Sequence, residues 1–113
     1  MKEDQIFNMD YNNFLISGKL KFIQTGKTNN NLTFAYFTLE SYSKKYPNML
    51  SFVSYGLPAE QLESLYSLED NLLVSGRIRS KQVEDRIFPI FIVEKINKIN
   101  EPRREGKNTE YID

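Results

Sequence analysis

Residues 72–81, LLVSGRIRSK, alternate in chemistry with a period of two. Leu72, Val74, Gly76 and Ile78 fall on one parity, and Leu73, Ser75, Arg77 and Arg79 on the other. Successive side chains of a strand point to opposite faces, so the pattern predicts a core face backed by two guanidinium groups. The same period runs through NFLISGKLKFI (13–23), where Phe14, Ile16, Gly18, Leu20 and Phe22 share one parity and Ser17, Lys19 and Lys21 the other. LTFAYFTLE (32–40) is rich in β-formers but apolar on both parities: Ala35, Phe37 and Leu39 on one, Phe34 and Tyr36 on the other. A strand that is apolar on both sides is buried twice, or one side binds something.

Two more strands are predicted, MLSFVSYG (49–56) and IFPIFIVEKINKI (87–99), with Pro89 marking an edge or a bulge in the second. QTGKTNNN and QVEDR read as turns, and SYSKKYPN (41–48) as a polar loop. One segment changes period. LPAEQLESLYSLED spaces Leu57, Leu62, Leu65 and Leu68 as a helix would, with Pro58 in the first turn. Three strands, a helix and two strands is the connectivity of the OB-fold, a five-stranded Greek-key β-barrel with its helix between strands 3 and 4. Short strands of this kind also suit SH3-like barrels, so order alone leaves both open. The 113 residues suffice for one core. The expected organisation is an N-terminal extension (1–11), a barrel domain (12–99) and a flexible C-terminal tail (100–113).

The chain contains neither Cys nor His. That removes thiol chemistry, the commonest general base and the commonest metal ligand, so no cofactor and no enzymatic activity are expected. The start lacks a signal-peptide pattern and no apolar run nears the ~20 residues of a membrane helix, which predicts a cytoplasmic protein without a membrane partner.

Formal net charge is zero, but it is a cancellation. Residues 57–71 hold Glu60, Glu63, Glu69 and Asp70 without a cation, while the predicted strands and their loops hold eleven Lys and Arg against Glu40, Glu84, Asp85 and Glu94. A basic sheet can steer a polyanion despite a neutral total. Cations on a strand face also serve solubility and edge protection, and charge alone does not separate these accounts. Aromatic interleaving does bear on it: cations that track phosphates, with rings that stack on bases, make a single-strand nucleic-acid groove. The candidate contacts are Lys19, Lys21, Lys27, Arg77, Arg79 and Lys81, with Phe34, Tyr36, Tyr46 and Tyr55 as the rings. A subunit interface is the other use for such rings.

Four motifs and the last strand, in order, resemble the bacterial-type single-stranded DNA-binding (SSB) family over about residues 12–99. They are NNFLISGKL, YFTLES, FVSYGLPAEQL and LLVSGRIRSKQVEDR, followed by IFIVEKINKI. The resemblance implies an OB-fold that binds single-stranded DNA with little sequence preference, usually as a homotetramer; the expectation for this chain is a homo-oligomer, a dimer or a tetramer. It implies a base-stacking role for Tyr55 and backbone contacts for Arg77 and Arg79. The chain departs from the family in having no Trp, with Met49 and Val83 where Trp is common, and in a short tail ending TEYID. Those departures fit a compact phage or plasmid variant. RNA is a possible alternative ligand, since stacking platforms accept either polymer. An OB-fold protein–protein assembly module with weak or no nucleic-acid binding is the alternative function.

Overall fold

A computed structural model describes residues 11–43 and 46–100. Among the described residues, five strands and one helix follow one another as β1 (Phe14–Lys27), β2 (Thr33–Ser43), β3 (Tyr46–Tyr55), α1 (Leu57–Leu65), β4 (Asn71–Val83) and β5 (Arg86–Lys98). The strands close into a barrel in the order β1-β2-β3-β5-β4. All pairs are antiparallel except β3 with β5. This is the OB-fold, with the helix between the third and fourth strands.

The alternation read from the sequence sets the interior. Phe14 and Leu20 of β1, Ala35, Phe37 and Leu39 of β2, and Leu72 and Val74 of β4 are buried, with Phe52, Val93 and Ile96 completing the core. Four rings interlock in it: Phe37 stacks on Phe52 at 5.3 Å, and Phe91 meets Phe14 and Phe52 edge-on at 5.2 and 5.8 Å. Such stacked and edge-on pairs stabilise the core beyond the area the rings bury. Helix α1 closes one end of the barrel with Ala59 and Leu62. Leu57, Leu65 and Leu68 are exposed, so of the leucine series only Leu62 reaches the core, beside Ala59 and, just past the helix, the half-buried Tyr66. Among the described residues no helix is long and apolar enough to cross a membrane.

Closure needs β1 to serve two partners, and it does so by bending. Residues 14–19 pair with β4, and residues 19–27 pair with β2. The switch coincides with a bulge at Lys21, which breaks the register between Leu20 and Phe22. The extra residue inverts parity beyond it. Phe22, expected inward, is therefore exposed, and Ile23 turns toward the core in its place. The backbone of the loop before β4 locks the bend, with Leu20 N donating to Asp70 O and Glu69 N to Leu20 O.

A second bulge falls between Ser75 and Gly76 opposite β5, leaving Glu94 as the extra residue. Here the strands approach so closely that a β-carbon on Gly76 would overlap the Ile92 carbonyl oxygen. Above the first strand, Asn12 clamps Ile78 with its side-chain amide, donating to the Ile78 carbonyl and accepting from its N–H, both at 2.7 Å.

Three hairpins are longer than the sequence indicated. The stretch 41–48 is strand to Ser43 and again from Tyr46, because Tyr42 pairs Pro47 and Ser43 pairs Tyr46. Gly26 and Lys27 belong to β1, and the turn proper is Thr28–Leu32, with Asn31 at φ 66°. The β4–β5 hairpin runs to Val83 and Arg86 around Glu84 and Asp85. Pro89 lies in the part of β5 that pairs with β4 alone, since pairing to β3 spans Phe52–Ser54 with Phe91–Val93. Its missing N–H costs no ladder bond there.

Two substitutions check this architecture by urea unfolding. Gly76→Ala should cost about 2–3 kcal/mol, the scale of overpacking a closed interior. Ser54 is fully buried and its Oγ has no hydrogen-bond partner among the described residues, so Ser54→Ala should raise stability by about 1 kcal/mol.

Candidate nucleic-acid interface

The outward parity of β2 carries Phe34, Tyr36 and Thr38, which pair across to Tyr55, Val53 and Ser51 of β3. Val53 is matched in turn to Ile92 of β5. On β4, Arg77, Arg79 and Lys81 stand opposite Ile92, Ile90 and Phe88 of β5. One wall of the barrel thus reads, strand by strand, aromatic, mixed, aliphatic, cationic. At ~4.8 Å between strands the rings of β2 stand about 14 Å from the cations of β4.

A trough of about 400 Å³ runs along this wall, lined by Tyr36, Ser51, Val53, Tyr55, Lys81 and Ile90, with Phe52, Pro89 and Phe91. Val53 is on the outward parity yet buried, and it forms the trough floor. Tyr36 and Tyr55 remain 49% and 44% exposed, so each offers an open ring surface. Phe34 contacts Tyr36 with ring centroids 5.3 Å apart but does not line the trough.

The cations differ in availability. Arg77 Nε donates to Glu94 Oε2 at 2.7 Å, so the β5 bulge supplies a counter-charge. Arg79 and Lys81 are exposed and have no carboxylate within ion-pair distance among the described residues. They are the cations of this wall left for an anionic ligand.

The remaining residues expected at the site lie elsewhere. Lys21 sits on the β1 bulge, 2.9 Å from Glu69 and 3.8 Å from Glu40. The Glu69 hydrogen bond, opposed by some desolvation and reinforced by the charges of Glu69 and Glu40, raises its pKa above 10.5. Lys19 lines a separate recess of about 600 Å³ with Lys21, Glu40 and Tyr42. Glu40 is four residues along β2 from Tyr36, roughly 13 Å at strand rise. Lys27 shares the parity of Thr25, whose hydroxyl meets Glu63 of α1, and so belongs to the helix side of the sheet. Tyr46, 71% exposed, shares the parity of Leu50 and Phe52 at the far end of β3.

Sequence reasoning missed Val53, Ile90 and Phe88, which look like ordinary core residues. The available signal was the unbroken apolar run in β5, too rich for one face.

No protein-family profile matches the chain, and no curated protein matches it in sequence. Solved structures do match. The SSB domain of a Synechococcus sp. protein superposes with a TM-score of 0.64 at 18% identity, over 78% of this chain and 96% of that one. Mitochondrial single-stranded DNA-binding protein Rim1 of S. cerevisiae gives 0.68 at 14%, over 82% and 100%. Single-stranded DNA-binding protein from Thermus aquaticus gives 0.69 at 17%, over 88% and 46%. What these likenesses show is the fold: the chain shares its OB barrel with the three structures.

The Lys21 cluster makes a pH prediction. A raised folded-state pKa gives stability that is present below the unfolded value and lost as pH rises through the folded one. The stability gap between wild type and Lys21→Met in urea should therefore persist at neutral pH and close above pH 10.5.

Proposed function

We propose that this chain binds single-stranded DNA with little sequence preference along the β2–β3–β5–β4 wall. The observation that carries the reading is a trough lined by two open tyrosine rings, Tyr36 and Tyr55, together with Lys81, with Arg79 on the same face of β4 opposite the lining residue Ile90. Rings accept any base, and cations hold the phosphates that join the bases, which gives affinity without a code. The floor of the trough agrees with that, since the Val53 and Ile90 side chains carry no hydrogen-bonding group with which to read a base edge. The likeness in fold to three single-stranded DNA-binding proteins supports the same reading. The cellular role is protection or organisation of single strands in replication, recombination or transfer, by a homo-oligomer in the cytoplasm. RNA enters as a competitor to be measured.

A protein-assembly role draws support from the exposed stripe Leu57, Leu65 and Leu68 on and after α1. The two readings part in one titration. Fluorescent oligo-dT should bind with submicromolar affinity at low salt and weaken steeply as salt rises. A flat curve to high protein concentration would sink DNA binding and leave the assembly reading.

Residue roles follow from the geometry. Tyr55→Ala should cost roughly 1–3 kcal/mol of binding with the salt slope unchanged. The double variant Arg79→Ala with Lys81→Ala should weaken binding and flatten the slope by about 0.7 per lost phosphate contact. Arg77→Ala should do less to the slope, because Glu94 already offsets its charge.

A further inference from the structure

Phe34 neighbours the trough in the sheet but is not part of its lining. Phe34 is directly opposite Tyr55 on β3 and directly opposite Gly26 on β1. Side chains in directly opposed positions have β-carbons ~4.5–5.5 Å apart, so an upright ring at 34 would stand against Tyr55. Instead its tip occupies the space where Gly26 has no side chain: a β-carbon there would lie 2.8 Å from Phe34 Cζ and 3.0 Å from Cε2. Phe34 is accordingly only half-exposed and contributes nothing to the trough lining. Gly26 itself is ordinary strand, within β1 and without a positive φ. Its backbone does not need glycine; the ring beside it does.

We infer that Gly26 is a positioning residue of the binding wall, a socket that draws the Phe34 ring onto β1 and so keeps the trough between Tyr36 and Tyr55 free for a base. The inference rests on the single-strand reading and goes beyond it: Phe34 is held aside, and does not itself stack on the ligand. Any β-carbon at 26 evicts the ring. Strand rotamers then offer it the β3 side, where it meets Tyr55 and narrows the trough.

Three variants and one resonance test this with oligo-dT. Gly26→Ala should lower affinity about tenfold, the scale of one lost base stack, with the salt slope unchanged. Phe34→Ala should bind within about twofold of wild type, because the ring does not touch the ligand. The combined Gly26→Ala, Phe34→Ala variant should return to near wild-type binding, since no ring remains to be displaced. In the free wild-type protein the Gly26 α-protons should be displaced by the Phe34 ring current, and Phe34→Ala should abolish that displacement. Ordinary Gly26 α-proton shifts in wild type overturn the socket, whether or not Gly26→Ala folds. A tenfold loss in Phe34→Ala overturns it in favour of direct stacking by Phe34. A double variant as weak as Gly26→Ala alone makes Gly26 merely structural and also overturns it. Failure of wild type to bind oligo-dT is a different result, and it removes the single-strand reading itself.

Discussion

Closure of the barrel through β1 is the constraint on which the rest depends. One strand must satisfy β4 with its first half and β2 with its second, and a straight strand cannot do both. The bulge at Lys21 supplies the bend, and the Asp70 and Glu69 backbone fixes it by bonding to both polar groups of Leu20. The Lys21–Glu69 pair then spends a cation of the sheet on the fold. The second bulge, opposite Gly76, does the same on the other side of the barrel: it frees Glu94, which takes Arg77. Both devices that bend the sheet thus remove positive charge from what the sequence offers to a polyanion.

What closure leaves exposed is specific. Aromatic residues of β2 and β3 and free cations of β4 lie on one wall because β5 inserts between β3 and β4. The outward side chains of β5 there, Ile90, Ile92 and Phe88, make the middle of the wall apolar. An apolar floor between rings and cations suits a polymer with flat apolar bases along a charged backbone.

The strand and helix order was legible because alternation with period two, and its single interruption, are local properties of the chain. Arg79 facing outward, Ile78 inward and the two-sided character of Phe34–Leu39 needed only parity. Parity fails after a bulge, however, and Phe22 shows how: one extra residue at Lys21 reverses everything beyond it, and no local signal in KLKFI marks the insertion. The leucine spacing of 57–68 failed for a related reason. A nine-residue helix that caps a barrel buries one narrow stripe, here Ala59 and Leu62, and leaves the other leucines outside.

By itself the sequence determined which segments extend, which one coils, and that basic strands are balanced by an acidic helix, since each of these follows from side-chain chemistry at fixed spacing. It also supplied the rings and cations. Only the tertiary structure decided which of them meet. Tyr36, Tyr55, Arg79 and Lys81 come from three strands whose neighbours are set by a non-local order, and Lys19, Lys21, Lys27 and Tyr46 carry the same chemistry elsewhere on the barrel. The physical reason is that strand pairing is chosen by the closure of the whole sheet, which no single strand encodes. Gly26 is the sharpest instance: in sequence a turn residue, in the barrel the space into which Phe34 falls.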